Sequence, residues 1–276
     1  AAGAPHLGRS ALDAMELMSV GINYLREHMP DTARVHYAII DGGGISPNVV
    51  QARTKVRYVV RADTVPEMLS LIDRVCKVAE GAALMTETSV TREILAAVSN
   101  LLPNGPLCDA MQKNYETLGP VPFDAADREY AAGFQATLSD EDISDAWRSA
   151  GLVPEPGRVL GDLVPPADAP VRPLGGSTDV GDVSWVVPTV QLMDATAAVG
   201  TQLHSWQMVA QGKSGPAAKG MIHAAQVMAM TGVDVVLDAG LRERAWADLR
   251  ARGGAEGYIC PLTADAVPPV KAMAAE

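Results

Sequence analysis

Within the first hundred residues the apolar spacing switches from helical to alternating and back, and no other feature limits the fold as much. Leu12, Met15, Met18, Ile22 and Leu25 recur every three or four residues, the stripe of an amphipathic helix over Ser10 to His28. Ser10 with Asp13 gives a capping-box pattern at its start, and Pro30 closes it. A strand is predicted at 35–40, followed by the turn "DGGG" at 41–44. A second strand is predicted from Lys55 to Arg61, with Val56, Tyr58 and Val60 on one face. Thr64 and Glu67, around Pro66, begin another helix that turns Met68, Leu69, Ile72, Val75 and Ala79 inward. Leu84, Thr86, Thr88 and Val90 alternate as a further strand. The resulting order of helix, strand, strand, helix and strand is a split βαβ unit without its first strand.

Beyond residue 100 the punctuation changes. A helix is predicted over 106–117, two short helices within 125–149, and a long proline-rich surface loop over 151–173. Residues 175–192 read as a glycine turn, a short helix and a buried strand. A helix over 216–231 begins at Pro216 and ends at Gly232, and its Ala217, Met221, Ala224, Ala225 and Met228 form a slim face suited to packing on a sheet. Leu241, Ala245 and Leu249 mark a final helix. This alternation of helices and apolar strands predicts an α/β layer.

Composition bounds the function. At 276 residues and 48% apolar content the chain can bury one large core or two ordinary ones. Aromatic residues make up only 4%, so that core rests on aliphatic side chains and 12 methionines. A net charge of −11 argues against nucleic acid as a partner. Cys76, Cys108 and Cys260 are scattered and form no CxxC pair, which fits a reducing, cytoplasmic setting. No apolar run reaches the ~18 residues of a membrane span. The opening "AAGAPHLGRS" lacks a signal-peptide pattern, and its start without Met is read as a segment of a longer protein.

Three short motifs fail on spacing. "GKS" at 212–214 has Gln207 where a phosphate loop needs glycine, and "DGGG" has Pro47 at the third glycine of a dinucleotide fingerprint. "GGSTD" lacks the closing glycine of a nucleophile elbow. His204 has no partner at metal-ligand spacing, so from the residues alone it is either a packed imidazole or one ligand of a site drawn from distant segments. His223 reads as a packed or rim histidine within its helix, and His6, His28 and His36 as structural. By themselves Asn48 is compatible with a simple turn residue and Arg61 with a solvated strand arginine.

Four blocks taken together carry a resemblance. They are "PHLGRSALDAMELMSVGINYLREHM" (5–29), "VHYAIIDGGGISPNVVQARTKVRYVVRA" (35–62), "GGSTDVGDVSWVVPT" (175–189) and "GTQLHSWQMVAQGKSGPAAKGMIHAA" (200–225). In this order they resemble the di-metal aminoacylases, carboxypeptidases and amidohydrolases, and most closely the branch acting on aminobenzoyl-glutamate. The resemblance is to the C-terminal part of such proteins. It implies an incomplete ferredoxin-like lid and dimerisation domain at 1–98, and the C-terminal half of a zinc-peptidase-like α/β catalytic domain at 99–276. His204 in "LHSW" matches the family's last metal ligand, in a site for two divalent ions, zinc or manganese. Asn48 in "PNVV" and Arg61 in "VVRA" match lid positions that hold the substrate, often across a dimer. The planar fork of an arginine suits a carboxylate. Gly176 and Ser177 match a loop that approaches the substrate backbone-first.

The family's remaining ligands and its general-base glutamate have no match in this sequence. The implied activity is metal-dependent hydrolysis of amide bonds in small N-acyl amino acids or short peptides, with no catalytic residue assigned here and no activity expected of the chain alone. Two alternatives accompany it: one subunit of a split enzyme whose partner carries the N-terminal half, or a non-catalytic remnant that binds or dimerises through the lid.

Overall fold

The computed structural model describes residues 3–170, 176–254, 257–264, 266–268 and 270. The chain divides into two compact units. One comprises residues up to Asn100 with the described residues from Ile259 onward, and the other is Leu101–Tyr258.

The first unit follows the predicted order of elements up to residue 83, although Leu71, rather than Met68, Leu69 and Ile72, joins Val75 and Ala79 in the core. Helix α1 (Ala11–Leu25) starts where the Ser10 hydroxyl accepts the Asp13 N–H at 3.2 Å, and a short 3-10 turn (Arg26–His28) ends it before Pro30. Strands β1 (Arg34–Asp41) and β2 (Lys55–Arg61) pair antiparallel, with Val35 opposite Val60, Tyr37 opposite Tyr58 and Ile39 opposite Val56. Helix α2 (Val65–Met85) starts at Thr64, whose hydroxyl accepts the Glu67 N–H. Met18, Ile22 and Leu25 of α1 join Leu71, Val75 and Ala79 of α2 against Val35, Val56, Tyr58 and Val60 of the ribbon. A Cβ on Gly21 would come within 2.6 Å of Val78 Cγ1, so the close crossing of the two helices requires glycine there.

The strand predicted at 84–90 does not form. Buried Ala79, Ala82 and Ala83 carry the helical face on to Met85, and the Thr86 hydroxyl then bonds back to the carbonyls of Ala82 and Ala83. Four alternating residues are too short a run to outweigh that continuing apolar face. The sheet among the described residues is therefore two-stranded.

The second unit contains α3 (Gly105–Leu118), α4 (Ala125–Gln135), α5 (Asp140–Ser149), α6 (Val180–Val186), α7 (Trp206–Gln211), α8 (Gly215–Leu237) and α9 (Ala239–Ala251). The loop expected at 151–173 has neither helix nor strand through residue 170, and residues 171–173 lie outside the described residues. The buried strand expected before residue 192 is absent, and the described residues of this unit contain no strand. Val190 and Leu192 instead run as irregular chain onto Met111, Tyr115 and Val227, with Pro188 removing one ladder donor.

Helix α8 also runs past Gly232, where a stop was expected. Asn114 Nδ2 donates to Thr231 Oγ1 at 3.2 Å and to Asp234 Oδ2 at 2.7 Å, tying both sides of that glycine to α3. Such bonds offset a glycine's helix cost of about 1 kcal/mol. Against the expectation of no such run, α8 is by length and composition long and apolar enough to cross a membrane. Its Lys219, His223 and Asp234 are all bonded to groups of the same unit, as suits a packed helix.

Candidate functional site

His204 lies in the turn that leads into α7, and the surrounding residues fix that turn tightly. Gln211 is 1% exposed; its Oε1 accepts the Ala198 N–H at 2.8 Å, and its Nε2 donates to Thr201 Oγ1 and the Gln207 carbonyl. Gly200 at φ +95° passes so close to Ile143 that a Cβ would meet its backbone at 3.0 Å. The Ser205 hydroxyl caps α7 by accepting the Met208 N–H, and donates to the Gln202 carbonyl at 2.7 Å. Between these anchors His204 adopts φ +62°, the left-handed region that few side chains enter, and it is exposed. A strained, solvent-facing imidazole on a braced turn is a disposition found at functional sites.

The segment leading to that turn is pinned by a buried ion pair. His223 Nδ1 lies 2.6 Å from Asp194 Oδ2, and its Nε2 lies 2.8 Å from the Gly119 carbonyl. Both neighbours are hydrogen-bond acceptors facing the two ring nitrogens. Asp194 Oδ1 accepts from the Tyr115 hydroxyl at 2.9 Å and the Ala195 N–H at 2.8 Å, a full donor set for a carboxylate. Burial first, and then the Asp194 carboxylate, push the Tyr115 hydroxyl far above its ordinary value, so it stays a donor. Beside this network a Cβ on Gly220 would meet the Ala195 carbonyl at 2.0 Å. The predicted packed role of His223 thus has a specific content: it holds the segment that precedes His204.

A second charged cluster braces the start of α8. Lys219 bonds to Asp124 Oδ2 at 2.7 Å and to the buried Asp127, while Asp124 and Asp127 close a reciprocal capping box on α4. The Lys219 hydrogen bond, with help from the Asp127 N–H, lowers Asp124 to about 2.

The other candidates are placed as follows. Gly176 and Ser177 are exposed on the segment before α6. Asn48 and Arg61 belong to the first unit: Asn48 is in the loop joining β1 to β2, and Arg61 ends β2 opposite Arg34. Arg61 is six residues along β2 from Lys55, where that loop joins the strand, or roughly 20 Å at strand rise. Among the described residues no three His, Cys, Asp or Glu side chains assemble where one ion could bind. The described residues by themselves do not fit the pair of divalent ions that the resemblance implies.

Asp194, Tyr115, Gln211 and Lys219 carry no signal in the sequence that marks them as parts of this framework. Asp194 stands 29 residues from its histidine, and only the "DAAD" spacing of the α4 cap is a local clue.

Sequence comparison places the chain among relatives that are hydrolases and peptidases. It is 43% identical over 278 residues to a p-aminobenzoyl-glutamate hydrolase subunit of Escherichia coli, covering 97% of this chain and 58% of that protein. It is 29% identical over 246 residues to the Xaa-Arg dipeptidase of Mus musculus and 26% identical over 258 residues to that of Homo sapiens. Those matches cover 88% and 92% of this chain, and 46% and 49% of the two dipeptidases. No family model matches it.

Proposed function

We propose that this chain is part of an amide hydrolase acting on p-aminobenzoyl-glutamate or a related N-acyl amino acid. The 43% identity to the Escherichia coli hydrolase subunit, over 97% of this chain, carries this reading. Arg61 pairs with a substrate carboxylate, Asn48 donates to the reacting carbonyl, and Gly176 and Ser177 border the substrate. Asn48 and Arg61 serve the site across a dimer formed through the first unit.

His204 is one ligand of a site for two divalent ions, zinc or manganese, and the braced left-handed turn supports that role. A single imidazole does not complete such a site, so the remaining ligands and the general base come from a further polypeptide segment. The match covers 58% of the Escherichia coli relative, so the counterpart of its remaining portion is the source we propose. The three free cysteines suit a reducing, cytoplasmic compartment.

The test is release of p-aminobenzoate by the chain co-expressed with the portion of the Escherichia coli relative that has no counterpart here. The reading requires cleavage that His204→Ala abolishes and that Arg61→Ala weakens chiefly through KM. Absence of cleavage by the assembled pair would refute it.

A further inference from the structure

We propose that Trp206 is the platform on which the aryl ring of the substrate's acyl group stacks. This deepens the proposed function and rests on it, because it names the part of the substrate that meets the His204 turn. Trp206 begins α7 two residues after His204, so their Cα atoms lie within about 7 Å of each other. Both residues are exposed, Trp206 by 63%. An indole left so bare is unusual, since tryptophan is among the residues that bury most surface.

The ring is exposed but not loosely held. The Phe134 ring lies behind it with centroids 6.1 Å apart, and Tyr130 lies 5.1 Å from Phe134 in turn. Phe134 packs on the cluster of Val121, Phe123, Ala131 and Leu160, so the row rests on the core of the second unit. The Tyr130 hydroxyl donates to the Ala210 carbonyl at 3.3 Å, and Gln135 Nε2 donates to the Val199 carbonyl at 3.2 Å. These bonds tie α4 to the chain on both sides of the His204 turn. Aromatic residues make up only 4% of the chain, yet three of them form this row, and it ends beside His204. With Phe134 on one side, the indole has its remaining surface open to a ligand, and a rigid ring held in this way loses little freedom on stacking.

The chemistry of the turn selects the end of the substrate. Leu203 and Val209, exposed by 70% and 80%, flank the indole, and no Asp, Glu, Lys or Arg lies between Gly200 and Gln211. Such a lip receives an uncharged aryl group rather than the amino-acid carboxylate. In an aroyl amide the ring is bonded directly to the reacting carbonyl carbon, so it lies one ring's length from the bond that breaks. An aromatic platform for it therefore belongs next to the residue that the proposed function places at that bond, and Trp206 occupies that position. A protein segment laid over the indole would also crowd the neighbouring imidazole, which the proposed function needs accessible.

The test co-expresses the full chain with the portion of the Escherichia coli relative that has no counterpart here. It compares p-aminobenzoyl-glutamate with N-acetylglutamate, which shares the glutamate and the amide but lacks the ring. Trp206→Ala is expected to lower the ratio of their kcat/KM values about tenfold, chiefly through KM, whereas Trp206→Phe keeps most of it. Circular dichroism of the isolated variants should match wild type, because the side chain faces solvent. An unchanged ratio overturns the proposal. Loss of assembly in Trp206→Ala also overturns it, by assigning the indole to an interface. Calorimetric titration of the same samples with p-aminobenzoate separates this inference from the proposed function. If neither substrate is cleaved, the proposed activity fails, but p-aminobenzoate binding that weakens about tenfold in Trp206→Ala keeps the platform. Binding that is absent or indifferent to Trp206 removes it.

Discussion

Replacing His223 with Gln tests whether the ion pair with Asp194 holds the second unit together. Both side chains are about 2–3% exposed, and their contact is 2.6 Å. Gln can still donate to the Gly119 carbonyl or to Asp194, but its single amide nitrogen does not replace both ring nitrogens. Asp194 then remains a buried carboxylate facing only the Tyr115 hydroxyl and the Ala195 N–H. Removing one partner of such a pair costs about 3–5 kcal/mol, because the other charge is left uncompensated. Asp194→Asn removes that charge, so the double variant should recover about 2 kcal/mol relative to the sum of the singles. All four tryptophans, Trp147, Trp185, Trp206 and Trp246, lie in Leu101–Tyr258, so their fluorescence in urea reports this unit alone. With a urea slope of about 2 kcal/mol/M, the His223→Gln midpoint should fall by about 2 M. A loss under about 1 kcal/mol, or strictly additive singles, would refute the ion-pair argument.

Further outcomes follow from the same contacts. Gly220→Ala drives a methyl into the Ala195 carbonyl and should destabilise the second unit by about 1–3 kcal/mol in the same urea assay. Gln211→Ala strands the Ala198 N–H and should cost about 1–3 kcal/mol, while raising hydrogen exchange across 198–204. Asp124 is lowered to about 2 from 3.8, so its contribution is complete above the unfolded value and fades as pH falls from about 4 towards 2. Lys219→Met should flatten that acid limb in a pH series of thermal melts; an unchanged limb would exclude Asp124 as its source.

What is legible in the sequence is mostly local. Ser10, Thr64, Ser139 and Ser214 cap helices by accepting N–H groups three residues on, and such bonds depend on neighbours alone. Strand β2 is readable to its ends because alternation over seven residues is unambiguous. The departures all involve distant partners. Gly232 resembles a stop, but Asn114 on another helix bonds to both sides of it. The strand expected at 84–90 yields to a helical face already buried against α1 and the ribbon. In the site, His204 stands out by its motif, but the Gln211 clamp and the Asp194 anchor join residues 10 to 79 positions apart. No local spacing encodes them.

The measurement that bears most directly on the proposed function is release of p-aminobenzoate from p-aminobenzoyl-glutamate. The purified chain is assayed alone and with the missing portion of the relative, each with added zinc or manganese. No release is expected from the chain alone, and release is expected from the pair that disappears with His204→Ala. Metal-dependent release by the chain alone, or by the pair irrespective of His204, would contradict the reading of His204 as one corner of a site completed by another polypeptide.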